Sequence, residues 1–102
     1  MSRIRVITGG PDYAHDFVGP NGTGPALAVV LRDAGHQVDC TDDVEAGFLD
    51  CSDVDVVVIN ALRWRMLADQ YQQWRDQWAF SPSPQARRSI IEFVERGGGL
   101  VA

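Results

Sequence analysis

The run Asp55-Val56-Val57-Val58-Ile59-Asn60 constrains the fold more than any other segment. Four β-branched residues in succession favour an extended backbone, and no polar residue marks either side for water. Such a strand belongs at the centre of a parallel sheet with both faces covered. Its neighbours in sequence follow the same logic. Ile4-Arg5-Val6-Ile7-Thr8 is a second short β-branched run, stopped by Gly9-Gly10. Pro25 suits a first helical turn, and Leu27, Val30, Leu31 and Ala34 follow at helical spacing before Gly35. His36 to Thr41 reads as a more polar strand near an edge. Asp42 to Asp53 reads as an acidic connector with one short turn of helix.

Arg65 to Trp78 is predicted helical, with Leu67, Tyr71, Trp74 and Trp78 as its apolar stripe. Trp74, Trp78 and Phe80 are expected to pack that helix on the sheet. Ser83 and Pro84 form a helix start, with Ser83 as N-cap. Ala86, Ile90, Phe93 and Val94 give this helix one apolar face. Gly97-Gly98-Gly99 ends it, and Leu100-Val101-Ala102 opens another strand. Strand and helix alternate throughout, which predicts an α/β fold with a parallel sheet and right-handed crossovers. The 102 residues suffice for one small domain. With only three residues in the last strand, the expectation is the N-terminal part of a longer domain, or a chain whose open edge a partner covers.

Composition narrows the partners. Fourteen acidic residues face nine basic ones, all arginine, for a net charge of -5. Nucleic acid and anionic membranes both select a basic face, so neither is expected as a partner. The charge is uneven: residues 1–62 sum to -7 and residues 63–102 to +2. That division reads either as two solvated faces or as an arginine-bearing wall turned toward an anionic or polyhydroxyl ligand. The opening residues carry Arg5 inside the apolar run and lack the roughly 7–15 uninterrupted apolar residues of a secretory leader. Two cysteines, Cys40 and Cys51, then read as small buried hydrophobes in a cytoplasmic protein.

Ligands of open parallel sheets bind at the carboxyl ends of the strands. That rule selects the segments 9–24, 41–45 and 60–65. The first holds Asp12, Tyr13, His15 and Asp16 beside glycines. His15 there suits a general base or a metal ligand, with Asp16 or Asp12 orienting its ring; a plain surface histidine is the alternative. Asn60, Arg63 and Trp64 end the central strand. The carboxamide can bond a substrate hydroxyl and the indole can stack on a sugar ring, or else the two serve the loop and the core. Gly22-Thr23-Gly24 opens a helix, yet the lysine of a P-loop and the spacing of a dinucleotide fingerprint are missing. A receiver-type phosphorylation site is excluded by Thr8-Gly9 and Asn60 where acids would stand. A cobalamin site is excluded by the spacing between Asp12, His15 and Gly19, and Cys40 follows the wrong strand for a nucleophile elbow.

Four stretches together resemble the ThuA-like (trehalose utilisation) family of the class I glutamine amidotransferase-like superfamily. They are Val6-Ile7-Thr8-Gly9-Gly10 with His15-Asp16-Phe17, Leu31-Arg32-Asp33-Ala34-Gly35-His36, the Asp55–Ala61 strand, and Ile90 through Val101 with its Gly97-Gly98-Gly99 turn. The resemblance implies a flavodoxin-like three-layer sandwich, incomplete at the C-terminus, with residues 1–102 as the N-terminal part of a single domain. It also implies a role in metabolism of trehalose or related keto-disaccharides, the partner being a small carbohydrate. His15 and Asp16 are the expected catalytic pair, and Gly9, Gly10, Asn60, Arg63 and Trp64 the ligand-binding residues. No cofactor and no metal-ligand set is assigned. Two other functions remain open on sequence: a non-catalytic interaction module that oligomerises through its open edge, and a metal-dependent hydrolase or isomerase centred on Asp12, His15 and Asp16.

Overall fold

A computed structural model describes residues 1–11, 16–19 and 22–102. Four strands form one all-parallel sheet: β1 (Arg3–Gly9), β2 (Gln37–Thr41), β3 (Val56–Ala61) and β4 (Gly99–Val101), in the order β2-β1-β3-β4. Helices α1 (Thr23–Asp33), α2 (Val44–Leu49), α3 (Gln72–Trp78) and α4 (Pro84–Glu95) connect them. Helix α1 packs on β1 and β2, while α2 and α4 pack together over the opposite face. The result is the expected α/β sandwich, and its strand order is compatible with a flavodoxin-like fold.

The larger core lies between the sheet and the pair α2–α4. Ile7 and Val57 from the sheet meet Val44, Cys51 and Phe93, with Phe48, Ile59, Phe80 and Ile90 around them. Phe93 is almost fully enclosed; a side chain of this size contributes roughly 1.5–3 kcal/mol by leaving water. Arg5 interrupts the apolar run of β1 for a structural reason. Its guanidinium donates to the Gly47 and Asp50 carbonyls and to Asp39, tying the end of α2 to two strands. Helix α4 begins as expected, with Ser83 Oγ accepting from the Ala86 amide. It ends in a Schellman motif: the Gly97 and Gly98 amides donate to the Val94 and Phe93 carbonyls, with Gly97 at φ 100°.

Three expectations need correction. Residues 65–68 are not helical: Met66 is fully buried at φ 55°, and helix starts only with a 3-10 turn at Asp69–Tyr71. Leu67, assigned to the apolar stripe, is 64% exposed. Enclosing Met66 outweighs continuing the turn, and Arg75 replaces the missing helical bonds by donating to the Met66, Leu67 and Ala68 carbonyls. The acidic connector holds its short helix as expected, α2, capped by Asp43 accepting from the Ala46 amide. Strand β3 is central, yet only Val57 is fully buried; Val56 and Val58 face the side on which α1 covers β1 and β2. Finally, Cys51 is buried but Cys40, on edge strand β2, is exposed. Among the described residues no helix is long and apolar enough to cross a membrane.

Candidate functional site

Parallel pairing brings the carboxyl ends of β1, β2 and β3 to one rim. Gly9 stands opposite Ala61, and the Leu62 amide donates to the Gly9 carbonyl at 2.8 Å. Arg63 then crosses the rim. Its Nε donates to the Trp78 carbonyl at 2.6 Å and its Nη1 to the Asp42 carbonyl at 3.1 Å. The guanidinium lies 5.2 Å from the Trp78 ring centre and 5.4 Å from that of Phe80. One half-buried cation therefore ties the ends of β2, β3 and α3. Burial pulls its pKa below the ordinary value, opposed by the Asp42 and Asp43 charges. Gly9, at φ 142°, is required beneath this bridge, because a Cβ there would sit 2.9 Å from Trp78 Cζ3.

Trp78 separates two clefts. One, of about 170 Å³, lies between the loop after β1 and α3, and is walled by Gly10, Asp16, Phe17, Trp74, Gln77 and Trp78. The other, of about 380 Å³, is more acidic, with Asp42, Asp43 and Glu45 facing Arg63, Trp78 and Phe80. Asp16 is exposed and uses Oδ1 to accept from the Gly19 amide at 2.8 Å. Among the described residues no group donates to its Oδ2, which leaves a carboxylate oxygen for a ligand hydroxyl. Trp74, Gln77 and Trp78 recur at i, i+3 and i+4, so α3 presents all three on one side.

On the α1 side of the same rim, Asn60 Nδ2 donates to Thr23 Oγ1 at 2.8 Å and, at 3.4 Å, to Thr8 Oγ1. The Thr8 hydroxyl spends its proton on the Phe17 carbonyl, so toward Asn60 it can only accept. That fixes the carboxamide orientation. Asn60 thus fastens the start of α1 to the ends of β1 and β3.

The expected residues divide accordingly. Gly10 and Asp16 line the smaller cleft, Gly9 lies against Trp78, and Arg63 borders the larger cleft while bonding backbone. Asn60 belongs to the hydroxyl network. The Trp64 ring is engaged edge-on by Tyr71, with centroids 4.9 Å apart at 87°. His15 and Asp12 lie outside the described residues. Of the three aromatics expected to pack α3 on the sheet, Trp78 is buried and Phe80 packs against the core as expected, while Trp74 lines the smaller cleft; Gln77, for which the sequence raised no expectation, joins it there at i+3 spacing. Among the described residues no cluster of His, Cys, Asp and Glu could hold a metal ion. No family model, curated protein or solved structure matches the chain.

Proposed function

We propose that this chain is a ThuA-like carbohydrate-binding domain that acts in the metabolism of trehalose or a related keto-disaccharide, with one sugar ring seated between the β1 loop and α3. The observation that carries the reading is the cleft of about 170 Å³ in which two indoles, a carboxylate and a carboxamide converge. A sugar presents C–H faces that pack on aromatic rings and hydroxyls that both donate and accept. Trp74 on the cleft wall meets the first requirement, and Trp78, buried beneath Arg63, closes the cleft beside it. Asp16 and Gln77 meet the second, Asp16 as acceptor only and Gln77 as donor and acceptor. In this reading Asp16 takes the proton of a bound hydroxyl and His15, its neighbour in sequence, completes the acid–base pair. Arg63 and Asn60 act as positioning residues, since their donors hold the rim together. A cytoplasmic address belongs to the same reading and is supported by two free thiols.

Calorimetric titration with trehalose and with its keto derivative tests the assignment. Binding is expected to be lost in Asp16→Asn and Trp74→Ala and retained in Trp64→Phe. Equal affinity in all three would refute it.

A further inference from the structure

Helix α1 covers β1 and β2 unevenly. Gly24 lies against the Thr8 side chain, so the face of β1 that carries Val6 and Thr8 is the one α1 packs on. Cys40 stands opposite Val6 in register and shares that face, yet Val6 is fully enclosed and Cys40 is exposed. The gap is a cleft of about 430 Å³ between α1 and β2. Pro25, Ala28, Val29 and Arg32 wall it from the helix, recurring at i, i+3, i+4 and i+7. One flank of α1 is therefore apolar for two turns and cationic at its end.

Opposite charges stand at the two ends of this lane. Arg32 Nη2 donates to the Val38 carbonyl at 2.9 Å, which holds the guanidinium over the start of β2. Among the described residues its other N–H groups have no partner. Asp42 comes four residues after Val38, roughly 13 Å further along the strand direction. Its backbone carbonyl serves Arg63, but among the described residues its carboxylate makes no hydrogen bond or ion pair. Both charges act on the Cys40 thiol between them, Arg32 lowering its pKa and Asp42 raising it, while burial outweighs both and keeps the thiol neutral.

The start of α1 beside the cleft offers nothing to a phosphate. The Thr23 and Gly24 amides donate to the Asp16 and Phe17 carbonyls, Pro25 has no amide hydrogen, and the Ala26 amide donates to the Gly22 carbonyl. An anionic head group is thus directed to Arg32. A cation or hydroxyl is directed to Asp42, and the body between them meets only apolar side chains and a neutral thiol. Few polar groups placed around an apolar wall are the ordinary makings of a small-molecule site.

We propose that this cleft binds a small zwitterion whose carboxylate and ammonium are separated by an apolar chain. The carboxylate pairs with Arg32, the ammonium with Asp42, and the chain lies along Pro25, Ala28 and Val29 over Cys40. The site shares only Val18 with the lining of the sugar cleft and does not rest on the sugar reading. The probe is 8-aminooctanoate, followed by NMR titration and by protection of Cys40 from an alkylating reagent. It is expected to bind about three- to fivefold more tightly than octanoate or octylamine, each of which forfeits one exposed ion pair. The shorter 4-aminobutanoate, with less chain to bury and too little reach for both ends, should bind at least about tenfold more weakly. Arg32→Gln should bring 8-aminooctanoate level with octylamine, and Asp42→Asn should bring it level with octanoate. Saturating 8-aminooctanoate should slow Cys40 alkylation severalfold, whereas trehalose should leave it unchanged. Failure of 8-aminooctanoate to protect Cys40 overturns the proposal, as do equal binding of octanoate and indifference to both substitutions. Protection of Cys40 by trehalose would also overturn it, by making this cleft part of the sugar site.

Discussion

Replacing Arg63 by Met removes the bridge across the rim while keeping most of the side-chain volume. Two hydrogen bonds from a charged donor to backbone carbonyls disappear, each contributing roughly 1.5–3 kcal/mol. The contacts with the Trp78 and Phe80 rings add about 0.5–1 kcal/mol apiece. Against this, the variant no longer has to strip water from a half-buried cation, which offsets a substantial part of the loss. The net destabilisation expected is about 2–4 kcal/mol, a large fraction of the roughly 5–15 kcal/mol that holds a domain of this size. With a urea dependence of ~1.5 kcal/mol per molar, the unfolding midpoint should fall by ~1.5–2.5 M. Arg63→Lys should recover less than half, because one ammonium cannot reach two divergent carbonyls and stack as well. Urea unfolding followed by tryptophan fluorescence reads all three proteins. A change below ~0.5 kcal/mol in Arg63→Met would refute the bridge and return Arg63 to the solvent-facing role.

Gly9→Ala forces a Cβ onto Trp78 at an unfavourable φ, and should cost ~2–4 kcal/mol with a shifted emission maximum. Glu45 accepts from the Ser83 hydroxyl and amide, which hold its carboxyl below the ordinary value of 4.5. Its contribution is complete above that pH and drains as the pH falls through the lowered folded value, so Glu45→Gln should flatten the acid limb of stability measured down to pH ~3. An alkylating probe should label exposed Cys40 in the native protein and Cys51 only on unfolding. Desolvation raises the Cys40 thiol, so mass spectrometry at neutral pH should show it reacting more slowly than a free thiol.

The strands and the α4 helix were legible in the sequence because local and global requirements agree there. Val56 through Ile59 has no other reasonable use, and Ser83-Pro84 with Gly97 brackets a helix at both ends. The segment 62–71 was not legible for the opposite reason. Its conformation is set by Arg75 reaching back to three carbonyls and by Met66 entering the interior, contacts that leave no periodic trace. Convergence of the loops after β1, β2 and β3 followed from parallel topology alone. Which side chains close the cleft did not, because α3 starts later than its apolar residues suggest and turns Trp74 and Gln77 toward Asp16. Arg63 and Asn60 carried the chemistry expected of ligand contacts, but a guanidinium or carboxamide at a strand end serves backbone equally well.

The cleft itself is tested most directly by the three indole N–H resonances during titration with trehalose. Trp74 and Trp78 should shift together and saturate, while Trp64, held by Tyr71, stays in place. Movement of Trp64 alone, or no movement of any indole at saturating sugar, would contradict the account.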